Sequence, residues 1–426
     1  MTKILIQNVR VFDSDALRDP ANVVITRSAG NIEALPTAAA DDDDPEEKSD
    51  VLVDGHGCTL IPGLIDVYAN IKGANAALAT FASHGVTTVI DLSSNTQQCQ
   101  ALRVYAAGRT RLPTVLTSGT EATPARDHQP QVYDNPDGIV IRTAADAVAF
   151  AAAKASGPDR ADFVKVIVDR DSPNDALLKT MVDAAHAHGK LVIARTTGKA
   201  SYVRGMRAGF DIFAHAPLDE PLDADLAREM AAQGKVFVPT LSTMKRRTPT
   251  STHMSSFSGE SVPRASFPTT EGLPASSFAT RGRDATTDET EPDAGSRHRS
   301  NPGATSGSDY RNAADSVRTL YEAGVTVCAG TTANLVPGTQ VPFGESLHEE
   351  LRLLVDAGLS RLDALRAATC VAAKAFRLGD RGIVRGGLRA DLLLIEGNPL
   401  EDISATRNIR RVWIQGEDVE PANLAV

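Results

Sequence analysis

Leu60-Ile61-Pro62-Gly63-Leu64-Ile65-Asp66-Val67-Tyr68-Ala69-Asn70 is an apolar run with a Pro-Gly step near its start. It reads as a buried strand over 60–69, with Asp66, Tyr68 and Asn70 alternating onto one side of its far end. Downstream, strand-like and helix-like segments alternate, which is the sequence form of βα units around a parallel sheet. Strand-like segments fall at 87–92, 115–117, 163–168, 191–194, 212–214, 236–239 and 325–329, and 60–69 brings them to eight. Between them, Leu177, Met181, Ala184 and Ala185 repeat on one helical face, as do Leu347, Leu351, Leu354 and Val355. An α/β fold built on a TIM-type (β/α)8 barrel is the economical solution, with chemistry at the C-terminal ends of its strands.

Both ends of the chain are strand-rich. Residues 3–12, 22–26 and 50–54 are dense in β-branched side chains, and 390–395 and 409–416 answer them near the C-terminus. Trp413, the only tryptophan, reads as a packing residue. From about 245 to about 309 the chain is dominated by Ser, Thr, Pro, Arg, Gly and Asp, with too few aliphatic residues to offset the entropy of ordering. A disordered insertion after the seventh strand is expected there, as a solvated loop more than a lid or a partner-binding segment, and His253 and His298 are discounted as ligands.

At 426 residues and 42% hydrophobic content the chain can build a full barrel and a smaller module. A net charge of −10 argues against nucleic acid or an anionic membrane as the main partner, although part of it is one acidic run, Asp41 to Asp44 with Glu46 and Glu47. Cys58, Cys99, Cys328 and Cys370 are widely spaced, as suits reduced thiols. Neither a signal peptide nor a membrane-length apolar run is visible, so a soluble cytoplasmic protein is expected. A large pocket at one end of a barrel implies a small-molecule ligand, and homo-oligomerisation is left open.

The 60–70 run resembles the first barrel strand of the amidohydrolase superfamily, in its imidazolonepropionase-like and prolidase-like branch, which reads Pro-Gly-Leu-Ile-Asp-x-His-x-His. Residues 387–400, with Gly-Asn-Pro-Leu at 397–400, resemble that family's C-terminal signature. The resemblance implies that 1–59 and 385–426 join as a small β-sandwich beside a barrel over 60–384. It also implies one or two divalent metals held by the two histidines of the first strand, a lysine (often carboxylated) or glutamate ending the fourth, histidines ending the fifth and sixth, and an aspartate ending the eighth. At the matching positions this chain has Tyr68, Asn70, Lys165, Arg195, His215 and Thr332, so only Lys165 and His215 keep the family's residue. A guanidinium cannot ligate and adds positive charge where the cation would sit. No metal cofactor is therefore expected unless ligands are relocated, as by His215 with His84 or His128. His84, His186 and His188 read as residues of helix ends, where an imidazolium offsets the dipole. His128 closes Gly119-Thr-Glu-Ala-Thr-Pro-Ala-Arg-Asp-His, which resembles a pocket-lining loop of the family ending in Gly-Gly-His. Asp91, ending the second strand, either faces the pocket or ties neighbouring loops.

Around such a cavity Lys165, His215, Arg195 and Tyr68 are the candidate catalytic groups, and Asn70, Asp91, His128 and Thr332 the candidate substrate-binding ones. Burial beside Arg195 should lower the Lys165 pKa, making it a base or an imine-forming nucleophile. Three readings follow. The first is metal-independent catalysis (hydrolysis, decarboxylation, cyclisation or isomerisation), which the polar replacements favour. The second is a non-catalytic binder of a ligand or partner. The third is a metal-dependent hydrolase of C–N bonds with displaced ligands.

Overall fold

The computed structural model describes residues 2–27, 29–33, 49–124, 138–157, 159–168, 175–196, 198–248 and 309–422. The acidic run at 41–47, His128 and residues 249–308 lie outside the described residues. Eight parallel strands form the barrel: Leu64–Ala69, Val86–Asp91, Thr114–Thr117, Val164–Val168, Val192–Thr196, Ile212–Ala214, Val236–Val238 and Thr326–Val327. Each pairs in parallel with the next, save at two seams. At the first, the third strand bends at Gly119 and resumes as Ala122–Pro124, so that Ala122 opposes Val166. At the second, Val67 N–H donates to Ala329 O (3.1 Å), Thr331 N–H donates to Tyr68 O (3.1 Å), and the ring closes.

Alternation divides the apolar residues as the pleat requires. Ile65, Val67, Ile90, Ile193, Ile212, Val238 and Cys328 fill the barrel, and Ala372, Ala373 and Phe376, in and after the helix Cys370–Ala375, close one end. The outer faces pack on amphipathic helices such as Asp175–Ala187, which buries Leu177, Leu178, Met181, Val182 and Ala185. Each of the Leu, Met and Val side chains contributes about 1.5–3 kcal/mol of burial. Helix starts are set locally: Asn95 with Gln98, and Thr143 with Asp146, form reciprocal capping boxes.

The run 60–69 is not one strand. Cys58–Pro62 pairs antiparallel with Leu392–Glu396 in the terminal sheet, whereas Leu64–Ala69 pairs with Val86–Asp91 in the barrel. Gly63 makes the transfer, its N–H donating to Asp391 O at 2.7 Å. A Cβ there would lie 2.2 Å from Thr87 Oγ1 and 2.4 Å from Thr87 Cγ2, so only glycine fits. Gly63→Ala is expected to destabilise the protein by about 1–3 kcal/mol in urea unfolding, and adding Thr87→Gly, which also removes the Thr87 Cβ 2.8 Å away, should relieve the clash.

Strands from both termini form one eight-stranded sheet beside the barrel strands. Its residues alternate between two cores. Leu392, Leu394 and Trp413 join Ile4, Ile6, Val23 and Leu60 in a core of the sheet's own, while Leu393, Ile395, Val412 and Ile414 pack into the larger cluster with the helices. The compositional insertion is narrower than expected at its start, because Lys245, Arg246 and Arg247 are the last turn of the helix Leu241–Arg247, where cations suit the dipole. No helix among the described residues is long and apolar enough to cross a membrane.

Candidate active site

Three successive barrel strands end in non-glycine residues with left-handed backbone: His215 (φ 64), Thr240 (φ 53) and Thr332 (φ 55). Each such residue costs of order 1–3 kcal/mol and persists only where its surroundings over-determine it. They do here. His215 O accepts the Tyr202 hydroxyl (2.6 Å) and Thr196 Oγ1 (3.3 Å), and Thr332 N–H donates to Tyr68 O (2.6 Å). Ala216 N–H donates to Pro239 O at 2.9 Å, tying the end of the sixth strand to that of the seventh.

Lys165, on the fourth strand, is 2% exposed and fully engaged. Its ammonium lies 2.7 Å from Glu121 Oε2, donates to Leu92 O at 2.6 Å, and stands 4.9 Å from the centroid of the Tyr68 ring. Glu121 is 5% exposed, so the pair is buried. The expectation of a lowered lysine pKa is overturned. Burial lowers it and so does Arg195, but the Glu121 carboxylate and Tyr68 raise it, and the balance holds the ammonium above the ordinary lysine range.

The His215 ring stands 5.0 Å from the Tyr68 ring, centroid to centroid, with Nδ1 2.8 Å from Thr240 Oγ1. Burial, then the positive charges of Arg195, Arg247 and Lys165, push its pKa well below the usual histidine value, so the imidazole is neutral at physiological pH. Arg195 lies on the fifth strand between Ile167 and Ala214, half-buried.

Behind these groups runs a belt of buried polar contacts. Asp66 accepts Thr331 Oγ1 (2.6 Å), Thr331 N–H (3.1 Å) and Tyr68 N–H (3.1 Å). Thr331 O accepts Thr243 Oγ1 (2.7 Å) and Ser242 Oγ (3.3 Å), and Glu350 accepts the N–H groups of Leu241 (2.8 Å) and Ser242 (2.7 Å). Burial pushes Asp66 up to about 7 and Glu350 up to about 8, against the lowering by these donors. Both folded-state values exceed the unfolded ones, so the folded protein binds more protons across this interval and loses stability as pH rises. Urea unfolding should therefore show the midpoint falling from about pH 5 to about pH 8, with a slope that flattens in Glu350→Gln.

The structure brings Tyr68, Lys165 and His215 together, with the charge of Arg195 acting on the latter two. Asn70 Oδ1 and Thr332 Oγ1 are buried without a hydrogen-bond partner, as suits atoms that receive a ligand. Asp91 is buried, and its Oδ1 accepts the N–H groups of Ile71 (3.2 Å) and Ser93 (3.3 Å), tying loops at that strand end. His84 caps the helix Ala77–Ser83, just before the N-terminal end of the second strand. It is thus at the opposite end of the barrel from His215, and the two cannot share an ion. His186 pairs with Asp211 at 2.9 Å. Sequence reading missed Glu121, Thr240 and Glu350. Of these only Glu350 left a trace, as an acid on the apolar stripe of Leu347, Leu351 and Leu354.

Zinc-like ions take imidazole, thiolate or carboxylate donors. Of the six side chains at the matching positions only His215 is of that kind, and the Lys165 ammonium lies against Glu121 Oε2 at 2.7 Å. Among the described residues no three of His, Cys, Asp or Glu stand close enough to hold an ion together. Among the described residues, the donors at these positions do not fit a divalent metal.

The model of the Amidohydrolase family matches residues 59–419. Imidazolonepropionase of Deinococcus deserti is 36% identical over 105 residues, covering 24% of this chain and 26% of that protein. Imidazolonepropionase of Nocardia farcinica is 36% identical over 120 residues, covering 26% and 29%. The chain thus matches less than a third of the length of these relatives. Among solved structures, a Xaa-Pro dipeptidase with bound methionine in the active site superposes with a TM-score of 0.74 at 22% identity, over 98% of this chain and 99% of that one.

Proposed function

Because this chain belongs to the amidohydrolase family, whose members usually bind divalent metal, we propose that it hydrolyses a small organic substrate at the barrel mouth using organic side chains in the metal's place. The observation that carries this reading is the buried Lys165–Glu121 pair at 2.7 Å, an internal charge pair at the position on the fourth strand that matches the family's metal-binding lysine. Neutral His215 takes a proton from the water whose oxygen bonds to the substrate carbon, and returns it to the nitrogen as the C–N bond breaks; burial keeps the ring unprotonated and ready to accept. Arg195 supplies the fixed positive charge for the oxyanion that develops. Asn70 Oδ1 and Thr332 Oγ1, both unpartnered, orient the substrate. Three strained strand ends fix these groups before substrate arrives, which is where electrostatic catalysis gains most. A cytoplasmic location belongs to the same reading, supported by four free cysteines.

The test is hydrolysis of a panel of C–N-bonded small molecules by protein purified without added ions, before and after treatment with EDTA and phenanthroline. Unchanged activity with substoichiometric metal is expected. Chelator-sensitive activity with one metal per chain would remove the proposal.

A further inference from the structure

Thr240 sits at the end of the seventh strand, fully buried, with left-handed backbone. Its Oγ1 makes two short contacts: with His215 Nδ1 at 2.8 Å and with Pro239 O at 2.7 Å. A carbonyl can only accept, so the single hydroxyl proton goes to Pro239 O, and the oxygen must then accept from the histidine. We infer that Thr240 is a positioning residue that fixes His215 as the Nδ1–H tautomer and leaves the Nε2 lone pair for the proton that the reaction moves.

Four further hydrogen bonds hold Thr240 in place. Its successors Leu241 and Ser242 donate their N–H groups to the Glu350 carboxylate, at 2.8 and 2.7 Å, which anchors the helix start directly after it. Thr243 and Met244 return N–H bonds of 3.0 Å to Thr240 O. Without a partner on Nδ1, an imidazole prefers its proton on Nε2, the nitrogen that the reaction needs unprotonated. The hydroxyl therefore reverses the intrinsic preference of the ring.

The inference deepens the proposed role of His215, but its readout needs no substrate. Nitrogen-15 NMR of histidine-labelled protein, assigned with His215→Phe, should show a neutral His215 ring with Nδ1 protonated and Nε2 bare. Thr240→Val should move the proton to Nε2, and Thr240→Ser should restore the wild-type pattern. If activity is found, Thr240→Val should lower kcat at least tenfold with little change in KM, and Thr240→Ser should recover it. A wild-type ring protonated on Nε2 overturns the inference, even if Thr240→Val does not fold. Wild-type Nδ1–H with an inactive protein leaves the tautomer assignment standing and removes the catalytic reading instead.

Discussion

Lys165→Met is expected to lower the free energy of unfolding by about 3–5 kcal/mol in urea titrations, because it takes away the ammonium held against a buried carboxylate. Glu121 is 5% exposed, and its ammonium partner lies 2.7 Å away. Leu92 O loses its 2.6 Å donor as well. The double replacement Lys165→Met with Glu121→Leu should recover most of that loss, since apolar residues of similar volume commonly replace a buried ion pair at little cost. Recovery of stability without recovery of function would separate the structural from the chemical role of the pair. A Lys165→Met protein as stable as wild type would mean that Glu121 is satisfied by other groups.

The second large effect falls on chemistry. His215→Phe keeps an aromatic ring against Tyr68, so packing should be largely retained, but it removes the proton acceptor. The expected loss is about 10²–10⁴-fold in kcat, the usual contribution of a positioned acid or base, with KM changed little. Steady-state kinetics on whichever substrate the panel yields would measure it. A His215→Phe enzyme with unaltered kcat would place the base elsewhere in the barrel.

The strand order was legible because alternating apolar segments report burial directly, and all eight barrel strands fall on such segments. What local pattern could not show was a strand changing sheets. The apolar run across Gly63 is continuous, and only the approach of Thr87 reveals the break. The altered strand ends were readable one by one, Lys165 and His215 among them. Their electrostatics were not, because the partner that reverses the Lys165 shift is Glu121, brought in from the third strand by the bend at Gly119. Thr240 was hidden for a similar reason. Its importance lies in a left-handed backbone and in a contact with the neighbouring strand, neither of which a threonine in sequence announces. Glu350 could have been found, since a glutamate on an apolar helical face is a buried acid in need of donors.

Anomalous diffraction tests the central claim most directly. Crystals of protein produced in medium containing zinc, manganese and iron, measured at each absorption edge, should show no peak between Lys165 and His215, and density at Lys165 should end in an unmodified ammonium against Glu121. A full-occupancy peak ligated by His215 and a carboxylated Lys165, with Glu121 turned away, would contradict it.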